Sequence, residues 1–331
     1  METVKFGNTG LDVTPICLGA MSFGDPEKWT HDWVLKEEES RKIIKRALDL
    51  GINFFDTANI YSRGESEKIL GRALKDYANR EEIVVASKVF FGMHEGANAT
   101  GLSRKSIMHE IDQTLERLDM DYIDLYIIHR WDYNTPIEET MEALHDVVKS
   151  GKVRHIGASA MYAWQFQKAQ NVAVKNGWTK FVSMQNHYNL LYREEEREMN
   201  PLCEDQKVAL TPYSPLASGR LARDWSVKTK RGETDQVQEM KYGSTEEQDK
   251  KVVDRLAELA GKRGVPRAQL ALAWLLHKPQ VVSPIIGATK EKYLDDAVAA
   301  IDIKLSKEEL DYLEELYVPH EVVGALSNPN K

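Results

Sequence analysis

Ile52-Asn53-Phe54-Phe55-Asp56-Thr57-Ala58-Asn59-Ile60-Tyr61 decides how this chain is expected to fold. A short apolar run closes on an acid, and a tyrosine follows five residues later. The pattern recurs downstream. Ile83-Val84-Val85-Ala86-Ser87 closes on Lys88, and Leu125-Tyr126-Ile127-Ile128 closes on His129. Ionisable groups seldom end apolar strands unless the strand ends converge on a site. In a closed barrel of parallel strands the C-terminal ends form the catalytic face. The spacing therefore predicts that Asp56, Tyr61, Lys88 and His129 share one site.

Working outward, strand-like and helix-like segments alternate. Strands are expected at Ile16–Ala20, Ile52–Phe55, Ile83–Ser87, Tyr122–Ile128, Val153–Gly157, Phe181–Met184, Val208–Thr211 and Val281–Ile286. Helices are expected from Glu37 to Leu50, over Glu65–Tyr77, from Ser103 as N-cap through Leu118, from Thr135-Pro136 with Pro at the first helical position, over Tyr162–Asn176 and over Glu194–Asp205. Strands joined by helical crossovers imply a parallel sheet, and eight of them imply an α/β fold of the (β/α)8, or TIM-barrel, class. A doubly wound sheet competes, but it carries a Gly-rich G-x-G-x-x-G turn that is missing here. Three segments are additional: a hairpin over Val4–Val13, a long polar loop at 217–248 after the seventh strand, and a C-terminal helix, Lys307–Leu316. No linker or repeat divides the chain, so residues 1–331 are expected to form one domain.

Composition narrows the function. Of 331 residues, 42% are hydrophobic and 29% charged, as in globular proteins. A net charge of −8, with Lys and Arg scattered, argues against nucleic-acid binding. Cys17 and Cys203 form no CxxC pair, which suits a reducing compartment and offers no metal-ligand spacing; Cys17, between Ile16 and Leu18, reads as core. The N-terminus lacks the layout of a signal peptide, and no apolar stretch reaches the roughly 18 residues that span a bilayer. A cytoplasmic protein without a membrane partner is expected.

Eight motifs, in order along nearly the whole chain, resemble the aldo-keto reductases. They are Gly19-Ala20-Met21-Ser22-Phe23-Gly24; Phe55-Asp56-Thr57-Ala58 with Tyr61; Ser87-Lys88; Ile128-His129-Arg130; Gly151 to Ser159; Met184-Gln185 with Tyr188-Asn189; Tyr213-Ser214-Pro215-Leu216; and Ile286-Gly287-Ala288-Thr289-Lys290. The segment His129 to Pro136 is similar to a branch holding bacterial sugar- and aldehyde-reductase-like proteins and fungal reductases of polyketide pathways. The resemblance implies reduction of an aldehyde or ketone to an alcohol, with Tyr61 as proton donor, Lys88 tuning it, Asp56 partnering Lys88, and His129 orienting the carbonyl. A free phenol, with a pKa of about 10, is a reluctant acid near neutrality, and a cation beside it eases proton exchange.

The resemblance also implies a nicotinamide cofactor, NADPH in preference to NADH. Its implied contacts are Gly19, Met21 and Asp56; Ser159 and Gln185 on the carboxamide; Tyr213 stacked on the ring; Ser214, Leu216, Gly219 and Arg220 around the pyrophosphate; and Gly287, Thr289 and Lys290 on the phosphate. Asp296 falls at an adenine position. A helix N-terminus after the last strand suits a phosphate on physical grounds. Many members carry Ser-Asn where this chain has Ser159-Ala160, and the family's Gln and Asn near the adenine are Tyr293 and Ala297 here. Trp29, Trp33, Phe90, Phe91 and Trp131 are candidates to line a pocket for a small carbonyl substrate, Trp131 foremost because it lies two residues past His129. Arg220, Arg223, Lys228, Lys230 and Arg231 of the long loop are candidates to fold over the phosphates. No metal is required. Two other functions fit the same residues: a lyase or isomerase with Lys88 as Schiff-base nucleophile, and a cofactor-binding regulatory subunit. Self-association is possible on either view.

Overall fold

A computed structural model describes residues 1–227 and 229–328. The chain opens with an antiparallel hairpin, β1 (Val4–Lys5) and β2 (Asp12–Val13), as the sequence predicts. Eight parallel strands follow: β3 (Cys17–Gly19), β4 (Phe54–Asp56), β5 (Val84–Val89), β6 (Ile123–Ile128), β7 (Val153–Ser159), β8 (Phe181–Gln185), β9 (Ala209–Leu210) and β10 (Ile285–Gly287). They lie in the order β10-β3-β4-β5-β6-β7-β8-β9. The ring closes where Val282 N donates to Leu210 O (2.9 Å) and Ile285 N to Pro212 O (2.9 Å). The fold is the expected (β/α)8 barrel.

The helices are α1 (Glu37–Asp49), α2 (Glu65–Tyr77), α3 (Arg104–Leu118), α4 (Ile137–Lys149), α5 (Ala163–Asn176), α6 (Met199–Asp205), α7 (Lys230–Thr234), α8 (Gln236–Tyr242), α9 (Glu246–Arg263), α10 (Arg267–Leu276), α11 (Glu291–Ala299) and α12 (Lys307–Glu314). Three acids open α1 and favour its N-terminus, while Ile43, Ile44 and Ala47 at helical spacing face inward. Ser103 caps α3 by accepting from Ser106 N, as the sequence predicts.

Four expectations change. Pro136 is the N-cap of α4 and not its first residue, because its ψ of 132° is extended. Glu194–Asp205 breaks into a 3-10 turn and the short α6. The last strand begins at Ile285; Val281 makes only an isolated bridge to Leu210. Residues 217–248 are not an open loop, since α7, α8 and the start of α9 lie within them; Lys228 lies outside the described residues.

Two apolar layers result. One fills the space between strands and helices. The other, inside the barrel, joins Phe6 and Val13 of the hairpin region to Cys17, Phe54, Val84, Ala86, Leu125 and Ile127. Cys17 is buried and free, as its apolar neighbours predict. Alternate residues of a strand share one face, so the inward series Phe54–Asp56, Val84–Ala86–Lys88 and Leu125–Ile127–His129 runs from apolar floor to polar rim. The hairpin closes the floor, and the site is built at the rim.

Candidate active site

Lys88 is fully buried, and its ammonium has three partners. It pairs with the Asp56 carboxylate, donates to Thr57 O at 2.8 Å, and donates to the Tyr61 phenol at 3.3 Å. The other Asp56 oxygen accepts from Gln185 Nε2 at 2.9 Å. His129 is 7% exposed, and its ring meets the Tyr61 ring edge-on at 5.9 Å. The four strand-end residues thus converge within one hydrogen-bonded and aromatic cluster.

Backbone geometry presents Tyr61. Thr57 N donates to Ala86 O and Asn59 N to Lys88 O, tying the β4 loop to β5. Asn59 Nδ2 donates to buried Glu110 of α3 at 2.9 Å. After Tyr61 the chain turns through Ser62 (φ 49°) and Arg63 (φ 50°), conformations that L residues adopt at a cost. Ser62 Oγ offsets it by accepting from Asp25 N and donating to Asp25 O. Gly24 is needed there, because a Cβ on it would lie 2.2 Å from Ser62 Oγ.

Charge follows from this packing. Burial pushes the Tyr61 phenol above its ordinary pKa, and the opposing charge of Lys88 does not cancel the effect. Burial alone would lower the pKa of Lys88, but the Asp56 carboxylate and Tyr61 outweigh it, and the net direction is up. Burial, Lys88 and Arg130 hold His129 well below 6.5. The site is therefore a neutral phenol, an ammonium–carboxylate pair and a neutral imidazole. Lys88 pulls toward the phenolate, but burial is the larger cause, so the phenol keeps its proton.

Around this centre the other candidate residues divide. Ser159 Oγ, at the end of β7, is buried without a hydrogen-bond partner among the described residues, as a hydroxyl awaiting a ligand amide would be. Tyr213 lies parallel to His187 (5.3 Å, 7°), with the Lys241 ammonium 4.5 Å from its ring centre. Ser214, Ala217 and Ser218 have φ of 53°, 48° and 56°, so the segment holding Leu216 and Gly219 is strained, a common mark of functional loops. Gly19 is buried against Ile285, and Met21 sits in the 3-10 turn that follows β3. Ser22 Oγ donates to Ala288 O, joining that turn to Gly287–Lys290. Gly287 and Lys290 are exposed and Thr289 half-buried at the start of α11, whose N-cap, Lys290, makes no side-chain cap. These residues fit a dinucleotide: an unpartnered buried hydroxyl, an uncapped helix start and a lysine beside it.

Other candidates are placed differently. Arg220 is 8% exposed, against the rings of Trp225 (4.7 Å) and Tyr242 (5.8 Å), so it holds its own segment together. Asp296 accepts from Gln269 of α10 at 2.9 Å. Trp131 is buried in the outer core and tilted against Trp164. Phe90 also packs against that core; Phe91 is the ring against His129, edge-on at 5.0 Å. Trp29 meets Tyr61 edge-on at 6.3 Å, whereas Trp33 packs on His31. Sequence reading missed Asn59, Arg130 and His187. An Asn three residues past Asp56 carries no signal of its own, nor does His187, which stacks on Tyr213 and Tyr192.

Ala160 occupies a left-handed conformation (φ 45°) that favours Gly or Asn. Ala160→Gly should stabilise the protein by about 1 kcal/mol, read as a higher midpoint of urea unfolding. A lower midpoint would contradict strain at this residue.

The model of the aldo/keto reductase family matches residues 15–318. Versiconal hemiacetal acetate reductase of Aspergillus parasiticus is 47% identical over 339 residues, covering 96% of this chain and 98% of that protein. An aldo-keto reductase of Alternaria alternata is 44% identical over 339 residues, covering 95% and 90%. An aldo-keto reductase of Metarhizium robertsii is 42% identical over 351 residues, covering 98% and 93%. The chain belongs to the aldo/keto reductase family. It is accordingly an oxidoreductase of carbonyl chemistry, in a family that generally uses nicotinamide cofactors. Among the described residues no helix is long and apolar enough to cross a membrane.

Proposed function

We propose that this protein is an NADPH-dependent reductase of aldehydes or ketones in which Tyr61 is the general acid. The observation that carries the reading is the buried Lys88, bonded at once to Asp56, Thr57 O and the Tyr61 phenol beside His129. Bound NADPH supplies the hydride. Tyr61 holds a proton on its phenol at neutral pH and gives it to the carbonyl oxygen. His129, neutral, orients that oxygen by a hydrogen bond. Lys88 stabilises the phenolate left behind, and Asp56 keeps Lys88 charged and in place. Ser159 and Gln185 would hold the carboxamide, Tyr213 the ring, and Gly287, Thr289 and Lys290 the phosphate.

The raised pKa of Lys88 keeps it an ammonium, and an ammonium is no nucleophile, which weighs against the Schiff-base alternative. The test is consumption of NADPH by the purified protein with a panel of aldehydes, ketones and sugars; tight NADPH binding with no turnover of any carbonyl would favour a regulatory subunit instead. Lys290, exposed beside the uncapped start of α11, supports the cofactor preference. The expected dissociation constant is lower for NADPH than for NADH, and Lys290→Ala should narrow the gap by about tenfold, or about 1.4 kcal/mol, by weakening NADPH alone. Equal constants in the wild type would overturn the preference.

A further inference from the structure

We infer that Arg130 determines substrate specificity, and that the preferred carbonyl compound carries a carboxylate within reach of its guanidinium. The inference rests on the reductase reading above and adds to it a class of substrate.

Arg130 directly follows His129 at the end of β6. One of its Nη1 protons goes back to His129 O at 2.6 Å. The guanidinium carbon lies 5.5 Å from the ring centre of Phe91, the same ring that packs edge-on against His129. The cation is thereby fixed beside the imidazole that would orient the substrate oxygen. Its charge bears on three aromatic groups of the site: it helps hold His129 below its ordinary pKa and opposes the rise that burial imposes on Tyr61 and Tyr213. These three residues follow β4, β6 and β9 at the C-terminal rim of the barrel, the rim on which Arg130 also lies.

The charge has no internal counterpart. A guanidinium carries five N–H donors in a planar fork that matches a carboxylate. Among the described residues Arg130 has no ion-pair partner. Three other sheltered arginines do: Arg80 holds Asp124, Arg117 holds Glu67, and Arg193 holds Glu196 and Glu314, whereas Arg220, which likewise lacks an acid, is closed in by the rings of Trp225 and Tyr242. The nearest acid in sequence, Asp132, is committed elsewhere. Its oxygens accept from Leu102 N at 2.7 Å, Asn134 N at 2.8 Å and Thr135 Oγ1 at 2.8 Å. Within the tetrad Asp56 neutralises Lys88 and His129 is uncharged, so nothing there cancels Arg130. A half-buried cation with open donors beside the reacting carbonyl selects an anion. Trp29 and Phe91, the aromatic rings on Tyr61 and His129, give the body of that substrate apolar walls.

The experiment compares kcat/KM for 2-, 3- and 4-carboxybenzaldehyde with that for their methyl esters, in the wild type, Arg130→Met and Arg130→Lys, with NADPH affinity measured by fluorescence titration. The wild type should prefer at least one acid over its ester by about tenfold or more, the loss of one charge-assisted contact being worth that much. Arg130→Met should abolish the preference through the KM of the acid, and Arg130→Lys should restore part of it. Esters turned over as well as acids at every position would overturn the inference while leaving the reductase reading intact. So would an Arg130→Met loss shared equally by acid and ester, which indicates tuning of Tyr61 or His129, or a loss of NADPH affinity, which places Arg130 on the cofactor. The wild-type comparison stands even if a variant fails to fold. No turnover of acids or esters by the wild type would overturn the reductase reading and this inference with it.

Discussion

Tyr61→Phe is expected to lower kcat for carbonyl reduction by about a hundred- to ten-thousand-fold, the usual contribution of a positioned general acid, while the fold and the affinity for NADPH persist. Among the described residues the phenol oxygen has one hydrogen-bond partner, Lys88 Nζ at a long 3.3 Å, and Lys88 keeps Asp56 and Thr57 O when the hydroxyl is removed. The variant therefore isolates the proton. The pH profile tests the same assignment from another side. Burial raises the pKa of Tyr61, so the phenol stays protonated through neutrality and begins to ionise only above about pH 10. The protonated form is the donor. Reduction should therefore be level across neutrality and fall as pH rises through the raised pKa, while alcohol oxidation, which needs the phenolate, should rise. His129 adds no inflection near 6.5, because burial, Lys88 and Arg130 already hold it neutral. Wild-type turnover by Tyr61→Phe, or reduction that accelerates with pH between about 7 and 10, would remove Tyr61 as the acid.

The barrel and its rim were legible in the sequence because they rest on period two. Once Phe54, Val84 and Leu125 are read as inward-facing, Asp56, Lys88 and His129 must face inward above them. The helices with a strong cap or a glycine stop, such as α3 and α5, follow from local chemistry at nearly their observed limits. The long final crossover was less legible. Its polar composition over 217–248 reads as loop, yet α7, α8 and the start of α9 form there. Aromatic side chains were the poorest guide. Trp131 follows the strand end and looks aimed at the site, but it packs in the outer core against Trp164, and the ring that meets His129 is Phe91, two residues past the end of β5. Sequence proximity orders residues along one strand; which ring arrives from the next depends on how adjacent loops turn. The same limit hid the Thr57 carbonyl, a backbone atom that no side-chain pattern announces.

Lys88→Met is expected to lose both stability and turnover, and a second substitution separates the two losses. Removing the ammonium leaves the Asp56 carboxylate, 2% exposed, with Gln185 Nε2 as its remaining side-chain partner. Breaking a buried ion pair from one side costs roughly 3–5 kcal/mol, because a desolvated charge is left without its counterpart. Combining Lys88→Met with Asp56→Asn removes that orphaned charge. The double variant should recover about 1–3 kcal/mol relative to the sum of the single changes, measured as urea midpoints of the four proteins. Turnover should stay lost in the double variant, since neither Met nor Asn can stabilise a Tyr61 phenolate. The linkage sign gives a further check. Because the folded pKa of Lys88 is raised, its contribution to stability is complete below the ordinary lysine pKa of about 10.4 and fades as pH rises through the folded value. The wild type should lose stability in that alkaline range by an amount absent from the double variant. If the double variant were as unstable as Lys88→Met, the pair would not be the origin of the loss. If it reduced carbonyls at the wild-type rate, the charge of Lys88 would be structural, and the acid at this rim would need no tuning.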